Sequence, residues 1–273
     1  MTIASNKYKA SVWREIRGGL FRLKSVIWAL VFKEFKVRLG KGKLGIIWVL
    51  VEPVVSMLTM SAIWFLIGRE KIENTHVMLY IGSGFVIFLF VRRGIAPIPM
   101  AIISNEALLN YPQVKPIDTV LARFVLEMWL HSIASCWLFL SLWWILGITP
   151  SFPDPLMCFE AIAVAMLLSL GIAMPLAVYG TFNESITKMV GILSQPLMIL
   201  SAVLYSMNDL PAEARGFLAW NPIVHIIESF RHGAFGTKLF VGHNLLYPAY
   251  LGLILLGFGF VAYYANRFKL LQK

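Results

Sequence analysis

Six long apolar runs alternate with short polar segments along this chain. Each run is close to or above the roughly 20 residues that an α-helix needs to cross the hydrocarbon core of a bilayer. The first run contains Glu52 as its single ionisable residue. Because a helix satisfies its own backbone hydrogen bonds in lipid, the runs predict helices. The predicted spans are residues 45–68, 77–103, 120–147, 156–182, 189–207 and 245–265.

A different pattern precedes the first span. Trp28, Phe32, Phe35 and Leu39 recur every three or four residues and predict one apolar stripe on a helix. Cations lie on or beside the other face, at Lys33, Lys36, Arg38, Lys41 and Lys43. Such a helix lies in the membrane interface. Two roles stay open for it, a membrane anchor alone or the mouth of a transport path.

Composition supports the membrane class, since 59% of the residues are hydrophobic and 14% are charged, against about a quarter charged in soluble domains. We therefore expect an all-α membrane protein with six transmembrane helices. An N-terminal amphipathic interface helix and re-entrant gate helices between spans five and six complete the expected fold. The predicted parts are residues 1–44 (cytoplasmic N-terminus), 45–265 (six-span domain) and 266–273 (cytoplasmic tail).

The distribution of cations predicts the orientation. With the N-terminus inside, 19 of the 24 lysines and arginines fall in cytoplasmic segments, as the positive-inside rule requires. Both termini are then cytoplasmic. The net charge of +10 is mostly this topology signal, and no basic folded module indicates a nucleic-acid partner.

Residues 105–118, between spans two and three, are polar and stiff. The pattern predicts a helix from Asn105 to Asn110 that Pro112 ends. Pro116 suits the first turn of the following helix. The result is a short cytoplasmic elbow, either an ordinary stiff turn or a rigid element that transmits force.

The sequence contains no recognisable nucleotide-binding motif that would let the chain use ATP by itself. The segment GKGKLG at 40–45 lacks the order and the hydroxyl residue of a phosphate-binding loop. Neither a paired aspartate motif nor a His/Cys metal cluster is visible, and we expect no cofactor in this chain. A permease worked by a separate ATPase fits these features best. The alternative from another class, a membrane enzyme of glycolipid synthesis, lacks catalytic clusters.

Four features together carry a family resemblance. They are the six-span layout, the basic amphipathic helix and the segments NEALLNYPQVKPIDTVLAR (105–123) and WNPIVHIIESFR (220–231). The chain resembles the membrane subunits of ABC-2-type exporters, and most closely those that export capsular polysaccharide in Gram-negative bacteria. The resemblance implies a homodimer, two cytoplasmic ATP-binding subunits that hold ATP and Mg, and a channel for a lipid-linked acidic polysaccharide. Periplasmic adaptor and outer-membrane export proteins are further expected partners, and the implied location is the bacterial inner membrane. An O-antigen or teichoic-acid exporter of the same superfamily is the alternative.

The resemblance and the polar pattern together nominate site residues. ATPase coupling is expected of Asn105, Glu106, Leu109, Asn110, Tyr111, Pro112, Gln113, Lys115 and Pro116. Binding of a lipid head group is expected of Lys33, Lys36, Arg38, Lys41 and Lys43. Channel-lining residues are expected at Trp48, Glu52, Trp64, Phe65, Arg92, Arg93 and Tyr205. The sequence leaves two locations open for Arg92 and Arg93, the middle of the membrane or its cytoplasmic flank.

Two further patterns concern polar residues near or within the spans. Arg123, Glu127 and His131 lie four residues apart, so they share one helix face and the first two are placed to pair. Residues 209–244 predict two short helices hinged at Asn221-Pro222. These are expected to form a periplasmic gate or a static cap, with Trp220, Asn221, Pro222, His225, Glu228 and Arg231 as its residues.

Overall fold

The computed structural model describes residues 19, 22–38 and 44–271. Helices dominate this part of the chain, and three of them contain an internal proline, Pro53, Pro175 or Pro196. In chain order the helices are α1 (22–38), α2 (Leu44–Leu66), α3 (Val77–Ile95), α4 (Glu106–Leu109), α5 (Pro116–Leu146), α6 (Pro155–Phe182), α7 (Glu184–Leu200), α8 (Ala212–Leu218), α9 (Pro222–Phe235) and α10 (Leu246–Leu271).

Four stretches within the described residues are long and apolar enough to cross a membrane. They are Val77–Met100, Pro116–Trp144, Pro155–Phe182 and Leu246–Leu270. These stretches coincide with the second, third, fourth and sixth predicted spans. The first predicted span contains a shorter apolar stretch, Val51–Leu66. An all-helical membrane architecture is thereby supported, and a count of six spans stays a prediction.

The fifth predicted span differs from the helix that the structure contains. α7 runs over Glu184–Leu200 instead of residues 189–207. It begins early because the Asn183 side chain accepts a hydrogen bond from the Ser185 backbone N–H at 2.9 Å. It ends early because Ala202 adopts a left-handed backbone with φ of 55°, which an α-helix does not tolerate. An irregular segment, residues 201–206, follows it.

The chain departs from the expected all-α fold between α2 and α3. A β-hairpin joins α2 to α3, with strands β1 (Lys71–Ile72) and β2 (Thr75–His76) paired antiparallel. Glu73 and Asn74 form its turn with φ values of 46° and 63°, as a two-residue hairpin turn requires. Strands of two residues are too short to produce an alternating hydrophobic pattern, so the sequence did not reveal them.

α3 is the central helix of the structure. All residues from Leu79 to Val91 are buried, and α3 packs against α2, α5, α6 and α9. The most extensive helix–helix contact in the described part of the chain is that of α6 with α10, and glycines lie at this contact. A Cβ atom added to Gly171 would lie 2.3 Å from the backbone oxygen of Gly252. Small residues of this kind let helix backbones approach each other in membranes.

We predict that Gly171→Ala separates α6 from α10 and lowers the free energy of unfolding by about 1–3 kcal/mol, the usual effect of overpacking. The measurement is the melting temperature of the purified protein in detergent. Gly257→Ala is the matched control, because a Cβ at Gly257 meets no heavy atom within 4 Å. Equal melting temperatures for the two variants would contradict the close packing.

Candidate functional site

The interface helix α1 has two apolar faces in the structure. Leu30 and Val31 are buried against Ala122 and Leu126 of α5. Trp28 and Phe32 lie on the neighbouring face, 49% and 58% exposed, with ring centroids 5.9 Å apart. The predicted stripe thus contains side chains that face outward, as an interface helix needs. The buried face that attaches α1 to α5 was not recognised in the sequence.

The third residue of the predicted stripe faces inward. Phe35 is half-buried, and its ring centroid lies 6.0 Å from that of Trp129 on α5. The remaining member, Leu39, lies outside the described residues. α1 is therefore held along the side of α5 by apolar packing.

A polar cluster joins α1 to the elbow and to α5. The Lys33 Nζ donates to Asn105 Oδ1 at 2.5 Å, and the Asn105 amide donates to Glu34 Oε1 at 2.8 Å. Arg123 donates to the same Glu34 oxygen and to Ser104 Oγ, both at 2.6 Å. Asn105 is 2% exposed. Three separate parts of the chain are thus tied together by one buried carboxylate.

The ionisation of Glu34 follows from these contacts. Burial acts to raise the pKa of Glu34, but the hydrogen bond from Asn105 and the charge of Arg123 outweigh it and hold the pKa below its usual value. A carboxylate with a lowered pKa stabilises the folded state above its unfolded-state pKa. That stabilisation is lost as the pH falls through the folded-state pKa.

The charged ridge on α5 pairs differently from the prediction. Arg123 binds Glu34, and Glu127 accepts a hydrogen bond from Arg38, so Arg123 and Glu127 do not pair with each other. Both helices carry opposite charges four residues apart, and each charge finds its partner across the helix interface. Cross-helix pairing prevails because it keeps both buried carboxylates neutralised while the helices pack.

The third ridge residue contacts α3. The His131 Nε2 lies 3.0 Å from the Val86 backbone oxygen, and its ring stands edge-on to Phe90 with centroids 4.5 Å apart. The ridge as a whole therefore attaches α5 to α1 and α3.

The predicted lipid-head cations separate into three groups. Lys33 and Arg38 have acidic or amide partners inside the protein, whereas Lys36 is exposed. Lys41 and Lys43 lie outside the described residues. A cavity of about 290 Å³ opens beside the paired cations, and its lining is Lys33, Glu34, Val37, Arg38, Pro97, Ser104 and Arg123. Its walls therefore combine three cations with one carboxylate.

The elbow matches the prediction at Pro116, but its helix is shorter than the predicted Asn105–Asn110 and is separated from α3 by two 3-10 turns. α4 covers Glu106–Leu109, and Pro116 is the first residue of α5. The Lys115 backbone N–H donates to the Asp118 carboxylate at 2.8 Å, which caps α5. Of the nominated coupling residues, Asn105 and Pro116 are buried and Leu109 is half-buried. The exposed ones are Glu106, Asn110, Tyr111, Pro112, Gln113 and Lys115.

The nominated channel residues lie on three separate elements. Glu52 of α2 accepts a hydrogen bond from Arg93 and lies 4.0 Å from Arg92, both in the last turn of α3. The apolar stretch that contains the arginines continues past them to Met100. One carboxylate thus serves two cations within a candidate span.

The nominated aromatic residues have different degrees of exposure. Trp48 and Phe65 on α2 are 63% and 62% exposed. Trp64 is half-buried, with the Arg69 guanidinium 5.6 Å from its ring centroid. Tyr205 is half-buried in the irregular segment, and its hydroxyl donates to the Ile199 backbone oxygen at 2.9 Å. The single chain does not bring these side chains together.

The segment after α7 forms two helices hinged at Asn221-Pro222, as predicted. The Asn221 side chain accepts from the Ile223 backbone N–H at 3.0 Å and donates to Leu200 O at 3.1 Å. It therefore caps α9 and attaches the hinge to the end of α7. Trp220, beside the hinge, is 80% exposed, while Pro222 begins α9.

Arg231 is the most densely bonded residue of this segment. Its guanidinium is fully buried and donates to Glu228 Oε1 at 2.9 Å, Ala202 O at 2.9 Å and Val203 O at 2.7 Å. It also lies 3.7 Å from the centroid of the Tyr80 ring. α9, α3 and the irregular segment after α7 are thus joined by one side chain, which satisfies two backbone carbonyls of that segment.

Two residues of this contact were not found by sequence reasoning. A Cβ at Gly84 would lie 2.7 Å from Arg231 Nη2, so glycine is required there. Tyr80 and Gly84 sit in an ordinary apolar run, and no local signal distinguishes them. Only the packing of α3 against α9 reveals their role.

The histidines of the segment bind separate partners. His225 Nε2 donates to Ala219 O at 2.9 Å because its Nδ1 accepts from the Asn244 backbone N–H at 3.1 Å. Burial lowers the pKa of His225, against the opposing effect of the Ala219 carbonyl. His232 Nδ1 contacts Thr237 O at 2.6 Å. Over the part of the chain that the structure describes, no group of three or more His, Cys, Asp or Glu is arranged to hold a metal ion.

We predict that Arg231→Met lowers the free energy of unfolding by about 3–5 kcal/mol, because it leaves the Glu228 carboxylate buried without its counterion. Thermal unfolding in detergent measures the loss. Arg69→Met is the matched control, since Arg69 pairs with Asp209 at 3.5 Å on the surface and such pairs contribute about 0–1 kcal/mol. Similar losses in both variants would refute the central role of Arg231.

Comparison with known sequences gives consistent matches. The sequence model of the ABC-2 type transporter family matches residues 25–235, which run from α1 to the end of α9. The chain is 29% identical over 248 residues to the polysialic acid transport protein KpsM of Escherichia coli, covering 90% of this chain and 95% of that protein.

Two further relatives carry capsule-export names. The capsule polysaccharide export inner-membrane protein CtrC of Neisseria meningitidis serogroup B is 25% identical over 252 residues, covering 92% of this chain and 93% of CtrC. The corresponding protein BexB of Haemophilus influenzae is 26% identical over 234 residues, covering 85% of this chain and 88% of BexB.

Proposed function

Because this chain belongs to the ABC-2 type transporter family, we propose that it is the membrane-spanning subunit of an ATP-driven exporter of capsular polysaccharide. The observation that carries the proposal is similarity, over 85–92% of this chain, to proteins named for polysialic acid transport or capsule export at the inner membrane. The chain is accordingly a multi-pass inner-membrane transport subunit and not an enzyme. ATP and Mg act on a separate ATP-binding partner.

The exported polymer is lipid-linked and acidic in this proposal. The cation-rich cavity beside α1 supports it, because Lys33, Arg38 and Arg123 line a space open to the interface helix. Three cations share this lining with a single carboxylate, that of Glu34, so an anionic head group would balance their charge. α1 then guides the lipid-linked end of the polymer towards the channel.

Two copies of the chain form the channel in our proposal. α2 and α7 present large apolar side chains outward, among them Trp48 at 63% and Ile192 at 73% exposure. A second copy that covers these faces would enclose a path between them. Glu52, Arg93 and the α2 aromatics Trp48, Trp64 and Phe65 would line it, with Tyr205 near its outer end. Aromatic faces suit a sliding polymer because their contacts are individually weak.

The two ends of the subunit have different partners. We place both termini and the elbow in the cytoplasm, where the exposed elbow residues dock on two ATP-binding subunits. α8 and α9 form the periplasmic gate, held at Arg231 and hinged at Asn221-Pro222. Trp220, exposed beside the hinge, faces the side where periplasmic adaptor and outer-membrane export proteins continue the route.

We predict that Tyr111→Ala weakens binding of the ATP-binding subunit, because Tyr111 is 62% exposed at the tip of the elbow and buried aromatic contacts dominate most interfaces. Co-purification of the two subunits and capsule export are the measurements, with a loss of at least about tenfold in affinity expected. Tyr250→Ala is the matched control, since Tyr250 is 61% exposed on α10 and far along the chain from the elbow. Normal association by a stably expressed Tyr111→Ala variant would remove the elbow from the interface.

We also predict that reversing Lys36, Lys41 and Lys43 to glutamate reduces capture of the anionic lipid-linked polymer. Each cation near an anionic surface contributes about 1 kcal/mol, so three reversals lower the capture constant by at least about 100-fold. Export of radiolabelled polymer from membrane vesicles measures the effect. Arg38 is left unchanged because it pairs with Glu127.

The control for this experiment exchanges the same three lysines for arginine. Conservation of charge should preserve export, and the ATPase activity of the complex verifies that both variants assemble. If reversal and exchange give the same export rate, charge attraction by α1 is not the mechanism.

A further inference from the structure

An apolar cleft of about 500 Å³ lies between α3, α6, α7 and α10. Its walls include Phe88 of α3, Leu176 of α6, Val190 of α7 and Phe258 of α10. Three of these helices, α3, α6 and α10, contain candidate membrane spans. Because apolar cavities do not retain water, hydrocarbon is the medium that fills a cleft in this position.

The dimensions of the cleft match one acyl chain. Along α7 its lining extends from Ile186 to Leu197, which corresponds to about 16 Å at 1.5 Å per residue. That length is close to one leaflet of a hydrocarbon core about 30 Å thick.

The lining contains one charged side chain among the described residues, that of Arg92. Arg92 lies in the last turn of α3. The chain just beyond that turn touches the end of α6, since Pro99 Cβ lies 2.6 Å from a Cβ built on Gly180. The cation is therefore on the side of the bundle where the α6–α7 turn lies and α7 begins.

The charge of Arg92 is only partly neutralised inside the protein. Glu52 accepts a hydrogen bond from Arg93 and lies 4.0 Å from Arg92, so one carboxylate faces two guanidinium groups. The Arg92 side chain remains 35% exposed. A phosphate is the natural additional partner of an arginine that keeps free donors.

We propose that the cleft is a binding site for an anionic phospholipid of the surrounding bilayer, with one acyl chain between α3, α6, α7 and α10 and the phosphate beside Arg92. The lipid fills the space that the helices leave open and supplies the missing counter-charge. This lipid is a resident of the permease and is distinct from the exported polymer.

The first experiment identifies the occupant directly. A photo-crosslinking amino acid replaces Leu193, which lines the cleft and is 58% exposed, in the full-length protein in native membranes. After illumination, mass spectrometry of the protein should find an added phospholipid mass. A crosslinked dimer without lipid adduct would show that a second copy covers the cleft and would overturn the proposal.

The second experiment tests the charge. Purified, delipidated protein is titrated with phosphatidylglycerol or phosphatidylcholine, and the melting temperature reports binding. We expect phosphatidylglycerol to stabilise the wild type more strongly. Arg92→Gln should weaken that binding about fivefold and remove the preference between the two lipids, while Arg92→Lys should retain the preference.

Lys188→Gln is the matched control, because Lys188 is an exposed cation on α7 that does not line the cleft. It should bind phosphatidylglycerol as the wild type does. Equal stabilisation of the wild type by both lipids, or an equal loss in the Lys188 variant, would refute the site. Neither readout requires export, so the outcome is independent of the proposed transport function.

Discussion

The guanidinium of Arg231 lies fully buried where α3, α9 and the irregular segment after α7 meet. A buried cation is destabilising unless it is paired and hydrogen-bonded, and Glu228, two backbone carbonyls and the Tyr80 ring meet that requirement together. The interaction also holds the irregular segment that follows α7, because the Ala202 and Val203 carbonyls of that segment accept hydrogen bonds from Arg231. Placement of α9, and with it the hinge at Asn221, follows from this contact.

Buried charges that are paired across a helix contact also join the helices at the elbow end of the bundle. Glu34 lies between Asn105 and Arg123, and Glu127 pairs with Arg38, so α1 is attached to α5 by crossed ion pairs. Between these two polar contacts the helices are apolar and pack through small residues such as Gly171. The subunit therefore has one polar hub joining α1, the elbow and α5, and another below the α8–α9 hinge. A transporter needs such firm attachment at both ends if force applied at one is to reach the other.

Both proposed sites are for lipid. We assign the cation-rich cavity beside α1 to the head group of a lipid-linked substrate, and the apolar cleft at Arg92 to a resident phospholipid. Both rest on cations that outnumber the carboxylates beside them, at Glu34 in the cavity and at Glu52 next to the cleft. The division is physically sensible because the first site is polar on most sides, whereas the second is apolar except at one cation.

Local pattern in the sequence determined the helical membrane class, the four long spans, the elbow between Asn105 and Pro116 and the hinge at Asn221-Pro222. These features depend on hydrophobic periodicity, proline and capping residues, which act within a few positions along the chain. The end of α7, the pairing of Arg123 with Glu34 and the burial of Arg231 against Tyr80 were decided by the tertiary structure. Each depends on partners that are about 30 to 150 residues apart in the chain. A buried charge must find whichever partner packing brings near, and no local pattern specifies that partner.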